Sequence, residues 1–200
     1  MLTRERLIEI TKRFQDLRVA VIGDIFLDRI FYIDRALDEL SVETGLVAYQ
    51  VKNRNLAPGA GGAVINNIHG FGVRTKYSMG IVGDDGEAYD LMNGLHEMDV
   101  NTSYMVRSDK VVTPTYTKTI FDYGAVMEET HRIDIKNRQE TPEDVENRLL
   151  ENLFNIAEKV DVIIGLEQIE NGKNGVFKKK IIKGLSQIAN KYPNLIIMVD

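Results

Sequence analysis

The sequence predicts an α/β protein in which a mostly parallel sheet is layered between helices, with a smaller, separate β-sheet over its carboxyl edge. Three observations lead there. Four short apolar runs, at 19–22, 76–82, 162–166 and 195–199, alternate with helical stretches, the rhythm of parallel strands joined by crossover helices. Two pairs of segments, 29–34 with 46–52 and 115–121 with 127–135, instead alternate apolar and polar residues in period two, which suits half-exposed antiparallel strands. Finally, 200 residues with 44% hydrophobic and 28% charged content suffice for one folded domain with a real core. No linker, low-complexity tract or internal repeat divides the chain, so residues 1–200 read as part of one domain, with lid segments at about 29–52 and 113–135.

In chain order, Leu7, Ile8, Ile10 and Phe14 give an opening amphipathic helix, and the run 19–22 ends in Gly23 and Asp24 as a buried strand does. After the first period-two pair, small residues at 58–62 open a helix through Ala63, Val64, Ile65 and Ile68 that stops at Gly70 and Gly72. The strand at 76–82 leads through Gly83, Asp84, Asp85 and Gly86 into a helix on Ala88, Leu91, Leu95 and Met98. Asp122, Tyr123 and Gly124 mark the turn of a hairpin joining the second pair. Thr141 as cap, Pro142 as first residue and acids at Glu143 and Asp144 launch a helix on Val145, Leu149, Leu153, Ile156 and Val160. A strand at 162–166, a helix at 177–190 and a strand at 195–199 complete the series. That last strand has nothing behind it to cover it, and the chain reads as cut from a larger domain, because ligand-binding loops of open α/β sheets lie beyond the strand ends.

Composition removes several classes of function. There are no cysteines, hence no disulfide, thiolate metal site or cysteine nucleophile, and His69, His96 and His131 lie far apart without metal-ligand spacing. A net charge of −5 offers no electrostatic footprint for nucleic acid or an anionic membrane. No apolar run is long enough to cross a bilayer and the first residues lack the apolar core of a signal peptide, so the protein is expected to be cytoplasmic. The basic cluster Lys178, Lys179, Lys180 and Lys183 interleaves with apolar residues at helical spacing and reads as a solvated helix face.

Four places could carry chemistry. Asp24 and Asp28 follow the first strand, where carboxylates can face the ligand crevice and accept charge-assisted hydrogen bonds from sugar hydroxyls. The alternative is structural, with Asp24 capping a turn and Asp28 pairing with Arg29 or Arg35. The stretch from Pro58 to Asn67 sets small residues before a helix, where free backbone amides can meet a ligand; neither a dinucleotide fingerprint nor a Walker loop is present, and close helix packing explains the glycines equally well. Lys118 and Arg132 lie on the two arms of the hairpin and could clamp phosphate, with period two placing Arg132 beside Glu128, Thr130 and Asp134, although exposed strands also carry cations for solubility. Glu167, just past the strand at 162–166, is a further crevice carboxylate.

Together, RVAVIGDIFLDR at 18–29, the Pro-Gly turn at 58–67, Gly83-Asp84-Asp85, TPTYTK at 113–118 and RID at 132–134 resemble the N-terminal portion of the ribokinase-like (PfkB) carbohydrate kinases, in particular the sugar-kinase domain of the bacterial ADP-heptose synthesis enzymes. The resemblance implies a layered α/β/α fold with a β lid that often mediates homodimers, and phosphoryl transfer from ATP, with Mg²⁺, to a hydroxyl of a sugar or sugar phosphate. It implies that Asp28 binds sugar hydroxyls, that Gly59, Ala60 and Gly61 line the sugar pocket with Glu167 near it, and that Lys118 and Arg132 face phosphate. Departures from the family pattern are Ala60 in place of a glycine, Ala63 where an asparagine is expected, and Glu167-Gln168 in place of an Asp-Tyr pair. The family's Gly-Ala-Gly-Asp turn, source of the anion hole and catalytic base, does not occur, so no catalytic residue is assigned and this stretch by itself is expected to be inactive. A noncatalytic sugar-sensing or assembly protein of the same fold is the rival reading.

Overall fold

Strand β1, Arg18–Gly23, is the spine of the molecule, and its period-two alternation decides what lies on each side. The computed structural model describes residues 3–169 and 174–200; Met1 and Leu2, part of the amino-terminal stretch read above, fall outside them. Ala20 and Ile22 point into a core shared with α4, Glu143–Ala157, and α5, Lys179–Lys191, through Leu149, Leu153, Ile156, Ile181 and Ile188. Val21 points the other way, onto α2, Gly61–Gly70, and α3, Gly86–His96, through Ile65, Ala88, Leu91 and Leu95. Helices thus cover both faces of a parallel sheet, as its apolar strands require.

That sheet has five strands in the order β13-β12-β1-β6-β8, every neighbouring pair parallel: β6 is Thr75–Met79, β8 Val100–Asn101, β12 Val162–Leu166 and β13 Ile196–Val199. The second sheet has the order β11-β10-β2-β5, built from β2, Ile25–Asp34, β5, Val51–Ala60, β10, Thr115–Asp122, and β11, Met127–Ile135. Only Asp24 separates β1 from β2, so the chain passes from one sheet to the other within one residue. The passage needs Gly23, where a β-carbon would run into the Leu166 carbonyl. Two ribbons complete the strands: β3, Glu39–Leu40, with β4, Val47–Ala48, and β7, Ile81–Gly83, with β9, Val106–Ser108.

Several expectations need correction. The run at 76–82 is two strands, because Gly80 gives its carbonyl to the Val106 amide and β7 leaves the sheet to pair with β9. β2 begins at Ile25 and β5 ends at Ala60, so Asp28 and the turn at 58–60 are strand residues; the predicted 46–52 strand is divided between β4 and β5. The hairpin carries a bulge: Thr119 faces His131 and Ile120 faces Glu129, leaving Thr130 extra, so Glu129 and not Glu128 reaches Lys118, at 3.4 Å. Pro142 occupies the cap position of α4, and Thr141 makes no capping bond. The opening helix α1, Arg4–Lys12, buries no residue, and Ile196, Met198 and Val199 of β13 are each more than half exposed. All three histidines are exposed.

The motif Gly83-Asp84-Asp85 and Thr113 interlock to tie the end of β7 and the start of α3 to the segment that leads into β10. Asp85 caps α3 at the Ala88 amide (2.8 Å) and accepts the Thr113 amide (2.8 Å), while the Thr113 hydroxyl accepts the Gly83 amide (2.9 Å). Arg29, on the buried face of β2, adds an ion pair to Glu87 of α3 at 3.1 Å.

Candidate functional site

Alternation along β2 sends Leu27 and Arg29 toward the core and α3, and Phe26, Asp28, Ile30 and Tyr32 to the opposite face. On that face the registers set Tyr116 beside Asp28, Lys118 beside Ile30, Arg132 beside Lys118 and Asp134 beside Tyr116. Phe26 meets the Tyr116 ring edge-on at 4.5 Å, and the Arg132 guanidinium and Lys136 ammonium flank the same ring at 5.2 and 4.9 Å. Tyr116 in turn lines a cavity of about 450 Å³ with Lys136, Arg138, Gln168 and Asn174. A narrower cleft beside it reaches Gly23 and Ile169, which mark the carboxyl ends of β1 and β12. The cavity therefore lies where parallel α/β sheets present ligands.

Asp28 is exposed and forms no ion pair among the described residues. Arg29 is taken by Glu87 and Arg35 by Asp38, which removes the alternative in which either neutralises it. Gly59 packs directly onto it: a β-carbon there would fall inside the envelope of the Asp28 carboxylate and the Phe26 ring. This partial desolvation raises the Asp28 pKa, against the pull of Lys118 and Arg132. Arg132 is itself oriented by a two-pronged contact with Asp134 at 2.8 and 2.9 Å, which holds the Asp134 carboxyl below the ordinary range.

Asp28, Gly59, Lys118 and Arg132 thus share one face. Ala60 closes β5 with φ of +49°, a strained backbone for a residue with a β-carbon, and Gly61 begins α2 with its amide on the Asp24 carbonyl at 2.9 Å. Glu167 is exposed beyond β12 with its amide on the Asp200 carbonyl; its neighbour Gln168 lines the cavity instead. Asp24 is no free crevice carboxylate. It is buried at 6% exposure, and its oxygens accept the amides of Gln168, Ile169 and Val176 at 2.9, 3.0 and 3.0 Å.

Sequence reasoning missed Phe26, Tyr116, Lys136 and Asn137. Asn137 pins the segment that carries Lys136 and Arg138: its side chain exchanges two hydrogen bonds with the Val112 backbone, both 2.9 Å, and its carbonyl accepts Asn174 at 2.8 Å. Period two along β10 already placed Tyr116 with Lys118, a signal that was available but unused.

No family model matches the chain. The chain is 26% identical over 173 residues to the bifunctional protein HldE of Aliarcobacter butzleri, covering 86% of this chain and 34% of that protein. To HldE of Helicobacter acinonychis it is 27% identical over 180 residues, 90% of this chain and 36% of that one, so it spans about a third of the length of these curated relatives. Among solved structures, Arabidopsis thaliana ribokinase complexed with ribose and ATP matches with a TM-score of 0.55 and 14% identity, over 92% of this chain and 53% of that chain. The fold is that of the ribokinase-like carbohydrate kinases. A carbohydrate kinase from Agrobacterium tumefaciens agrees, with a TM-score of 0.59 and 14% identity over 92% of this chain and 53% of that chain. The resemblance carried by the sequence motifs is borne out, and so is the ribokinase-like mixture of a parallel sheet with smaller sheets.

Proposed function

We propose that this chain supplies the sugar-recognising part of an ATP-dependent carbohydrate kinase, which transfers the γ-phosphoryl group to a hydroxyl of a sugar or sugar phosphate. The observation that carries the reading is the Asp28 carboxylate, without an ion pair among the described residues, set against the Gly59 backbone on the face that carries Lys118 and Arg132. A carboxylate accepts two or more hydroxyl hydrogen bonds at fixed geometry, and the glycine beside it gives the Asp28 carboxylate and the Phe26 ring the room to lie against the main chain. Lys118 and Arg132 orient an anionic group over the same face, Arg132 already aimed by Asp134. The second sheet acts as the lid that excludes water from the cleft.

ATP, when bound, supplies the phosphoryl group. Among the described residues no three His, Asp or Glu side chains gather into a cation cluster. Mg²⁺ in such reactions is held largely by substrate phosphates, water and one or two carboxylates. The role of this chain's residues is to bind and orient the acceptor. A second copy is the partner proposed for the lid: the ribbon beside it exposes Leu40 (70%), Val42 (103%) and Leu46 (70%), an apolar edge that a homodimer would cover.

The test is ATP consumption by the full-length protein against a panel of sugars and sugar phosphates. The reading expects one acceptor class to support Mg²⁺-dependent turnover and Asp28→Ala to abolish saturation by it. Turnover that saturates equally well in Asp28→Ala removes the assignment. Tight sugar binding without any ATP consumption would favour the noncatalytic sensor.

A further inference from the structure

We infer that Asp24 is a positioning residue for the sugar site, an inference that rests on the reading above. Its side chain borders the narrow cleft but offers no free oxygen to a ligand: it is buried and both oxygens are spent on backbone amides. What those amides have in common is their place. Gln168 and Ile169 leave the end of β12, Val176 lies on the approach to α5, and together with Asn174 they line the clefts between the sheets. One carboxylate therefore gathers two separate pieces of the cavity wall.

The backbone of Asp24 extends the same hub. Its amide donates to the Leu166 carbonyl at 3.1 Å, and its carbonyl accepts from Gly61 at 2.9 Å, the residue that starts α2 next to Gly59 and Ala60. Asp24 is thus bonded to the cavity wall on one side and to the glycine corner on the other. It also lies at the hinge between the sheets, one residue from β1 and four from Asp28. Three amide donors converging on one group call for an acceptor with two oxygens and no proton, which Asp supplies and Asn does not. In Asp24→Asn the amide nitrogen must face one or two backbone N–H groups, and Gln168, Ile169 or Val176 loses its fixed position.

The experiment compares Asp24→Asn with wild type in the full-length protein by two readouts. Hydrogen exchange followed at the amides of Gln168, Ile169 and Val176 should lose protection in the variant. The equilibrium Kd for the sugar found in the panel should rise by about tenfold or more, the scale expected when a recognition group is misplaced by an ångström, while the KM for ATP stays within about twofold. A fall in Tm accompanied by an unchanged sugar Kd assigns Asp24 a purely structural role and overturns the inference. Equal losses for sugar and ATP overturn it too, since they mark general disorder. If Asp24→Asn fails to fold, Asp24→Ser, which keeps one acceptor oxygen, takes its place under the same criteria. The kinase reading fails separately, by absence of turnover in wild type, and sugar Kd still judges Asp24; a wild type that binds no sugar overturns both.

Discussion

Asp28 sits under two opposing demands. Partial desolvation beside Gly59 and Phe26 raises the pKa of its carboxylate, which still meets solvent, while Lys118 and Arg132 favour its charge. A carboxyl whose folded pKa lies above its unfolded value binds protons more readily in the folded state. Stability therefore falls as pH rises from the ordinary carboxyl range through the raised one, and the ionised form costs stability at neutral pH. Asp28→Asn should accordingly raise the Tm of the ligand-free protein at pH 7 with a smaller gain near pH 4, read by calorimetry, while weakening sugar binding by about 10- to 100-fold, the worth of a charge-assisted hydrogen bond. Binding that survives the change would refute the role given to the carboxylate. Next to it, Ala60 stands at φ +49° where the family pattern has glycine. Ala60→Gly should relieve this strain and stabilise the protein by about 1 kcal/mol in urea titration. Gly59→Ala should do the opposite, because the added methyl meets Asp28 and Phe26, with a loss of about 1–3 kcal/mol and of sugar affinity.

Among the elements, the joint between β2 and α3 is the most consequential. Arg29 is only 15% exposed, pairs with Glu87 at 3.1 Å, lies 4.0 Å from Asp90, and leaves its own Nε buried without a partner. Removing it leaves half-buried Glu87 without its partner, while Asp90 keeps Arg54 at 3.7 Å, so Arg29→Ala should cost about 2–3 kcal/mol, seen as a lower urea midpoint at unchanged m. The pairing is not legible in the sequence, where Arg29 stands next to Asp28 as a ready counter-charge. Alternation turns adjacent strand residues to opposite faces, and α3, 58 residues on, supplied the real partner. Helix α4 was legible along its inner stripe as far as Ile156, although the predicted Val160 lies past its end at Ala157. Val145, Leu149, Leu153 and Ile156 are each 0% exposed, as their three- and four-residue steps required.

At the scale of the whole molecule, the two sheets meet around the cavity while apolar surface remains at the periphery. The ribbon of β3 and β4 is tethered by Arg35, which lies 5.0, 4.6 and 5.7 Å from the rings of Tyr49, Phe121 and Tyr123. Its tip stays uncovered. If a second copy covers it, Leu46→Asp should shift the full-length protein from dimer to monomer in analytical ultracentrifugation while leaving its fold unchanged by circular dichroism. A mass distribution identical to wild type would exclude the ribbon from the interface. No helix among the described residues is long and apolar enough to cross a membrane.

The sequence by itself determined the layered α/β architecture and the periodicity of its strands and helices. Apolar periodicity is a local property, and it places β1, α4 and the hairpin cations without knowledge of their neighbours. Only the tertiary structure decided that Asp24 and Asp28, four residues apart, do different work, one buried under amides from 144 to 152 residues away and the other left open on the far side of a strand. The strand pairings that made this choice are long-range: β10 lies parallel to β2, and β7 abandons its sheet for β9. Such partners are selected by which faces can be buried together, a condition that no window of neighbouring residues contains.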